Sequence, residues 1–114
     1  MMKKALIFGA KGQDGQLLSE YLLKKNYKII GTHYKLVKNK NFRIVKLNIF
    51  DYKKVSSLIK KFRPNEIYNF AGISDLRSNE KSFFVSEKIN NLSVINILNS
   101  IKNSKIKYFQ PITS

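Results

Sequence analysis

The sequence predicts an α/β fold in which a mostly parallel sheet carries helices on both faces. Short apolar runs alternate with helical periodicity in the order β-α-β-β-α-β-α-β, and helices between strands imply right-handed crossovers. Glycines at positions 9, 12 and 15 directly follow the first apolar run. A strand, a glycine turn and a helix form a nucleotide-phosphate site, because the backbone approaches the anion closely and the helix N-terminus attracts it. The alternative interpretation of these glycines is an ordinary strand-to-helix turn.

The first three elements have clear local signals. Residues 4–8 form an apolar strand, and residues 13–25 form a helix that ends near Asn26, with lysines suited to its C-terminal end. Residues 27–33 follow as a second strand, before a loop rich in lysine and asparagine. The apolar face of the helix is predicted to contain Leu17, Leu18, Tyr21, Leu22 and Leu23.

The next three elements repeat this order. The apolar pattern of residues 42–47 alternates in the way that predicts a third strand. Asp51 can cap a helix over residues 52–62. Pro64 breaks that helix, and residues 66–70 form a fourth strand. Apolar residues at helical spacing are Val55, Leu58, Ile59 and Phe62.

The last two elements are a long helix over residues 82–102 and a fifth strand over residues 106–112. We expect the sheet order, by starting residue, to be Phe42, Tyr27, Ala5, Glu66, Ile106. The helix is predicted to bury a wide stripe made of Val85, Ile89, Leu92, Ile95, Leu98 and Ile101.

Composition limits the possible classes of protein. The 114 residues allow one domain at most, no segment is apolar enough to span a membrane, and cysteine is absent. We therefore expect a cytoplasmic protein without disulfides or signal peptide. The net charge of +15 raises the alternative of a basic nucleotide- or nucleic-acid-binding module, but 19 of the 22 basic residues are lysines spread along the chain, so nucleic acid is not the expected partner. The single histidine, His33, lacks neighbouring ligands, so no metal site is predicted.

Three motifs in order give the chain a family resemblance. Residues 12–15 read Gly-Gln-Asp-Gly, residues 64–71 read Pro-Asn-Glu-Ile-Tyr-Asn-Phe-Ala, and residues 109–114 read Phe-Gln-Pro-Ile-Thr-Ser. With these motifs the chain resembles the extended short-chain dehydrogenase/reductase family, which has a Rossmann-type sheet. Within that family it is most similar to the N-terminal third of the GDP-mannose 4,6-dehydratases.

The resemblance implies a nicotinamide dinucleotide as cofactor and GDP-mannose or a related sugar nucleotide as substrate of a homo-oligomeric enzyme. NADP is expected in preference to NAD, because of the residues after the second strand that are described below. In that reaction hydride leaves sugar C4 for the nicotinamide, water is eliminated across C5–C6, and hydride returns at C6. Thr113 corresponds to the catalytic hydroxyl. The adenine-side Asp-x-x-Asp of the family is replaced here by residues 48–51, which begin with asparagine. The predicted cofactor-binding residues are Gly9, Lys11, Gly12, Gln13, Asp14, Gly15, Tyr34, Lys35, Asn48, Ile49, Phe70, Ala71, Gly72 and Ser74.

Two features bear on activity and cofactor choice. The family's catalytic Glu directly after Ser114 and its Tyr-x-x-x-Lys further along are absent, and Tyr34 followed by Lys38 has this spacing in the wrong place. We therefore expect an incomplete domain over residues 1–114, lacking the C-terminal sugar-nucleotide domain and inactive alone. No acidic residue follows the second strand, and Lys35 could meet the 2′-phosphate of NADP. Asp14 either contacts the cofactor or simply favours the helix N-terminus. A sugar-nucleotide epimerase or reductase of the same extended family remains an alternative.

Overall fold

Strands and helices follow one another along the described residues in the order β-α-β-β-α-β-α-β. A computed structural model describes residues 2–71 and 80–111, with the backbone alone for residues 80–90. The strands are β1 (Lys4–Phe8), β2 (Lys28–His33), β3 (Arg43–Lys46), β4 (Glu66–Asn69) and β5 (Lys107–Phe109). The helices are α1 (Gln13–Lys24), α2 (Tyr52–Phe62) and α3 (Glu80–Ile101).

The five strands form one parallel sheet in the order β3-β2-β1-β4-β5. This confirms the predicted fold class and strand order, and it places the first strand at the centre. The register pairs Ile7 with Gly31 on one side and with Tyr68 on the other. All strands therefore end at the same edge, which we call the carboxyl edge, where ligands bind in open α/β sheets.

Each face of the sheet has its own core. Leu6, Phe8 and Ile67 pack with α2 and α3. Ala5 and Ile7 pack with α1 on the opposite face. Because β1 alternates between the two cores and is buried on both faces, its sequence is a continuous apolar run.

The buried face of α3 differs from the predicted stripe. Ile95 and Leu98 are 52% and 45% exposed, whereas Ser93 and Ile97 are completely buried. In α1, Leu17 and Tyr21 are likewise exposed, and Ser19 and Leu22 face the core. Both helices carry apolar residues around most of their circumference, so apolar spacing alone does not identify the face that packs on the sheet.

Each helix is followed by a residue other than glycine whose backbone is in the left-handed conformation. Asn26 follows α1 with φ 66°, Arg63 follows α2 with φ 55°, and Asn103 follows α3 with φ 65°. At the start of α2, Asp51 accepts a hydrogen bond from Lys54 N at 3.2 Å, as the sequence predicted. These ends lead into the strands at the amino edge of the sheet, opposite the carboxyl edge.

Candidate functional site

Backbone hydrogen bonds tie the loops of the carboxyl edge to the neighbouring strands. The N–H of Ala10 donates to Thr32 O at 3.0 Å, which fixes the loop after β1 to the end of β2. The N–H of Phe70 donates to Phe8 O at 2.8 Å, which joins the end of β4 to the same loop. The loop after β1 is therefore held from both sides.

Gly9 starts this loop under two constraints. Its φ is +74°, a conformation that L side chains rarely adopt. A Cβ at this position would also lie 2.7 Å from Ala71 N and 2.7 Å from Phe70 C. Gly9 therefore lets the chain turn against β4, and two of the predicted cofactor residues, Phe70 and Ala71, lie directly against the glycine loop.

Ala10 is enclosed by two further glycines. A Cβ on Gly15 would lie 2.8 Å from Ala10 O, and one on Gly31 would lie 2.5 Å from Ala10 Cβ. Ala10 itself is completely buried. The helix α1 and the strand β2 thus approach the loop as closely as their backbones allow. Gly31 is not among the predicted site residues, although a glycine inside an apolar strand is a signal of close backbone approach.

The N-terminus of α1 presents donors toward the carboxyl edge. Gly12 occupies the N-cap position, where it has no side chain to accept from the first N–H groups of the helix. Gln13 and Asp14 are exposed in the first turn. The side chain of Gln16 donates to Lys11 O at 2.7 Å and thereby closes the loop. The remaining helix N–H groups suit an anion such as a pyrophosphate.

A cationic and aromatic surface follows β2. Tyr34 is 59% exposed, and its ring centroid lies 4.5 Å from that of His33. The Nζ atom of Lys35 lies 5.4 Å from the centroid of the Tyr34 ring, close enough for a cation–π contact. The predicted pair Tyr34 and Lys35 therefore forms one surface beside the glycine loop.

The segment after β3 contains the predicted adenine-side residues. Asn48 Oδ1 accepts from Phe50 N at 2.9 Å, so its amide nitrogen is the group available as a donor. The carbonyl of Ile49 accepts from the Asn96 side chain of α3 at 2.9 Å, and the Ile49 side chain packs on the core. Asn48 is exposed and Ile49 is half-buried, which makes Asn48 the better candidate for a polar contact with a base.

Asn69, which is not among the predicted site residues, holds the Phe70–Ala71 segment after β4. Its Nδ2 donates to Ser93 Oγ and to Tyr108 Oη, each at 3.0 Å, and its Oδ1 accepts from Ala71 N at 3.1 Å. Asn69 is 2% exposed. A polar side chain at the end of an otherwise apolar strand was the available signal, because buried polar groups need partners.

The Asn69 network reaches the third sequence motif. The hydroxyl of Tyr108 donates to Gln110 Oε1 at 2.9 Å, next to Pro111. Burial raises the pKa of Tyr108 above its usual value, and the hydrogen bond from Asn69 opposes this shift. The three other predicted site residues, Gly72, Ser74 and Thr113, lie outside the described residues.

Within the described parts of the chain there is no group of three or more potential metal-binding side chains. No helix there is long and apolar enough to cross a membrane. Both findings concern residues 2–71 and 80–111.

Comparison with protein families gives one match that spans most of the chain. Residues 6–114 match the model of the family described as GDP-mannose 4,6 dehydratase. The GDP-mannose 4,6 dehydratase of Dictyostelium discoideum is 31% identical over 98% of this chain and 38% of its own length. That of Drosophila melanogaster is 32% identical over 98% of this chain and 34% of its own length. The chain thus spans less than two-fifths of the length of these relatives.

Solved structures support the fold. The L-threonine dehydrogenase of Clostridium difficile superposes with a TM-score of 0.85 at 24% identity, covering 98% of this chain and 37% of that one. The Bordetella bronchiseptica enzyme WbmH, solved in complex with NAD+, superposes with a TM-score of 0.75 at 23% identity, covering 93% and 37%. Both likenesses concern the arrangement of the strands and helices.

Proposed function

The chain belongs to the GDP-mannose 4,6-dehydratase family, and on this premise we propose that it forms the cofactor-binding part of such an enzyme. The observation that carries the proposal is the loop between β1 and α1. Gly9, Gly15 and Gly31 remove the side chains that would separate this loop from β4, α1 and β2. Such a loop at a helix N-terminus suits the pyrophosphate of a dinucleotide.

The other predicted residues extend this site along the carboxyl edge. Gly12, Gln13 and Asp14 would surround the pyrophosphate, with Lys11 beside it. Asn48 would donate to the adenine ring through its amide nitrogen, since its oxygen already binds Phe50 N. At the opposite end, Phe70, Ala71, Gly72 and Ser74 would pass the nicotinamide side of the dinucleotide, as in the family pattern.

We propose NADP rather than NAD as the preferred dinucleotide. NAD-selective folds use a carboxylate after the second strand to bind the ribose 2′-hydroxyl. This chain has Tyr34 and Lys35 there, with the Lys35 ammonium near the tyrosine ring. An ammonium attracts the 2′-phosphate that distinguishes NADP.

The proposed reaction of the complete enzyme is the conversion of GDP-mannose to GDP-4-keto-6-deoxymannose, a lyase reaction. The bound dinucleotide supplies a hydride acceptor for sugar C4 and a hydride donor for C6. Thr113 would supply a hydroxyl beside C4. In the family pattern the Glu and the Tyr-x-x-x-Lys follow the position of Ser114, so they are not among these 114 residues, and a proton carrier at the sugar is required. We therefore propose that this chain alone binds dinucleotide without turning over GDP-mannose.

Calorimetric titration of the purified chain with NADP+ and NAD+ tests the cofactor proposal. We expect tighter binding of NADP+, and we expect Lys35→Glu to reverse the preference. Lys40→Glu makes the same charge change on an exposed loop residue and should leave the preference unchanged. Equal or tighter binding of NAD+ by the parent chain would contradict the NADP assignment.

Activity is tested separately, by following the 4-keto sugar formed from GDP-mannose with NADP+ present. Turnover by the chain alone would contradict the assigned catalytic roles. A homo-oligomeric assembly and a cytoplasmic location stay predictions from the sequence.

A further inference from the structure

The turn between β3 and α2 contains Asn48, the residue proposed to contact the adenine ring. Within this turn Asp51 N donates to Asn48 O at 3.0 Å, and Phe50 N donates to Asn48 Oδ1 at 2.9 Å. Asn48 and Phe50 are both exposed. These two bonds give the turn its shape, but they do not connect it to α3.

A side chain of α3 makes that connection. Asn96 Nδ2 donates to Ile49 O at 2.9 Å, between residues that are 47 positions apart in the sequence. Asn96 is half-buried, and the next residue, Ile97, is completely buried. The Ile49 side chain packs on the core cluster that contains Ile97. The turn is therefore held on the core by an apolar side chain and joined to α3 by a hydrogen bond.

The peptide unit between Ile49 and Phe50 connects Asn96 with Asn48. Its carbonyl accepts from Asn96, and its N–H donates to Asn48 Oδ1. Because a peptide unit is planar, a bond that holds the carbonyl also fixes the direction of the N–H. That N–H in turn determines which end of the Asn48 amide is left to donate. The orientation of Asn48 therefore depends on a residue that is two hydrogen bonds away.

The same part of α3 supports the segment after β4. Ser93 lies three residues before Asn96, a spacing that places both on one side of a helix. Its Oγ accepts from Asn69 Nδ2 at 3.0 Å, and Asn69 Oδ1 accepts from Ala71 N. One side of α3 thus contacts the strand end or turn at both segments that are proposed to flank the dinucleotide.

We propose that Asn96 is a positioning residue for the adenine half of the dinucleotide site, acting through the Ile49–Phe50 peptide unit and Asn48. This inference rests on the proposed function, since it requires that Asn48 meets the adenine ring. A side chain without a donor at position 96 would leave the Ile49 carbonyl without this partner. The peptide unit could then rotate, and the Asn48 amide would lose its fixed orientation.

Two ligands separate the adenine half of the site from the glycine loop. ADP carries the base, whereas inorganic pyrophosphate does not, and NMR titration of the isotopically labelled chain follows both at the amides of Gly12 and Gly15. We expect Asn96→Leu to weaken ADP binding about fivefold, as for the loss of a typical hydrogen bond. Pyrophosphate binding should stay unchanged. Asn99→Leu, at an exposed position of α3, is the matched control and should alter neither affinity.

Two further variants test the route through Asn48. Asn96→Asp keeps the shape of the side chain and removes its donor, so it should reproduce the loss of ADP affinity even if leucine disturbs the packing. Asn48→Ala should also weaken ADP binding. Adding Asn96→Leu to Asn48→Ala should cause no further loss, because two residues that act through one contact are not additive.

The outcomes distinguish this inference from the proposed function. Unchanged ADP binding in both Asn96 variants would overturn the inference and leave the dinucleotide site in place. Equal weakening of ADP and pyrophosphate would show a general effect on the fold, and losses that add in the double variant would exclude the route through Asn48. Either result overturns the inference. Failure of the parent chain to bind ADP at the glycine loop would overturn the proposed function, and this inference with it.

Discussion

Asn69 at the end of β4 donates from Nδ2 to the hydroxyl of Tyr108 on β5, at 3.0 Å. The same side chain bonds Ser93 of α3 and the N–H of Ala71. One amide therefore sets the position of three segments at the carboxyl edge, among them the Phe70–Ala71 segment that contacts Gly9.

Substitution of Asn69 should affect stability and the cofactor site together. Asn69→Ala removes two donated hydrogen bonds and one accepted bond in a buried position, so we expect the free energy of unfolding to fall by about 2–3 kcal/mol. Dinucleotide affinity should fall as well, because Ala71 loses the bond that holds it against the glycine loop. Urea unfolding and calorimetry measure the two effects. Asn99→Ala, at an exposed position of α3, should stay within about 0.5 kcal/mol of the parent.

The contact between Gly31 and Ala10 predicts that a second substitution restores the dinucleotide binding that a first one weakens. Gly31→Ala would place a Cβ 2.5 Å from Ala10 Cβ, so the glycine loop must shift, and we expect weaker dinucleotide binding with a loss of stability of about 1–3 kcal/mol. Adding Ala10→Gly removes the clashing methyl group and should restore most of the affinity. A double variant that binds as weakly as the single one would show that the methyl contact is not the cause.

Alkaline pH should destabilise the fold through Tyr68. Burial, followed by hydrogen bonding to Glu66 Oε1 at 2.8 Å, raises the pKa of Tyr68 above its ordinary value of 10.0. The stabilising contribution is complete below pH 10.0 and is lost as the pH rises toward the higher folded-state value. We expect the free energy of unfolding to fall above pH 10.0 by well under the full-titration slope of about 1.4 kcal/mol per pH unit, because the group is partly exposed and solvent screens its interactions.

Urea unfolding at several pH values, compared between the parent chain and Tyr68→Phe, isolates this contribution from the titration of the lysines. The variant should lose stability less steeply above pH 10.0. Tyr52→Phe, which changes a ring exposed on α2, should keep the slope of the parent. Identical slopes in the parent and in Tyr68→Phe would contradict the predicted linkage.

An exposed aromatic surface on β4 and β5 should promote association at high salt. Phe109 is 42% exposed and stacks on Tyr68 with ring centroids 4.8 Å apart. Apolar surface favours self-association, which the net charge of +15 opposes until salt screens it. We expect light scattering to rise with salt, and Phe109→Ser to reduce this rise. Leu36→Ser changes a side chain that is 78% exposed in a loop, and it should have a smaller effect.

The strand order followed from the sequence because few topologies satisfy right-handed crossovers with short connections. The helix cap at Asp51 and the helix stop at Asn26 were also predicted correctly, because both depend on local backbone chemistry. The fifth strand is shorter than predicted, at Lys107–Phe109.

Contacts between distant segments were harder to predict. Ser93 is buried in α3 in preference to Leu98 because Asn69, 24 residues earlier, supplies a hydrogen-bond donor there. Neither residue reveals this pairing in its local sequence. In the same way, position 31 must be glycine because a Cβ there would collide with Ala10 Cβ on a neighbouring segment. The local periodicity of the sequence carries no information about the distance between these two residues.

The two edges of the sheet differ in where glycine occurs. At the amino edge the helices turn through Asn26, Arg63 and Asn103 in left-handed conformations, which glycine would adopt at lower energetic cost. Glycine is instead used where a side chain would collide with the loop after β1. The amino edge is therefore the place where protein engineers can raise thermal tolerance by local replacement, while the glycines at the carboxyl edge cannot accept a side chain unless the loop after β1 moves.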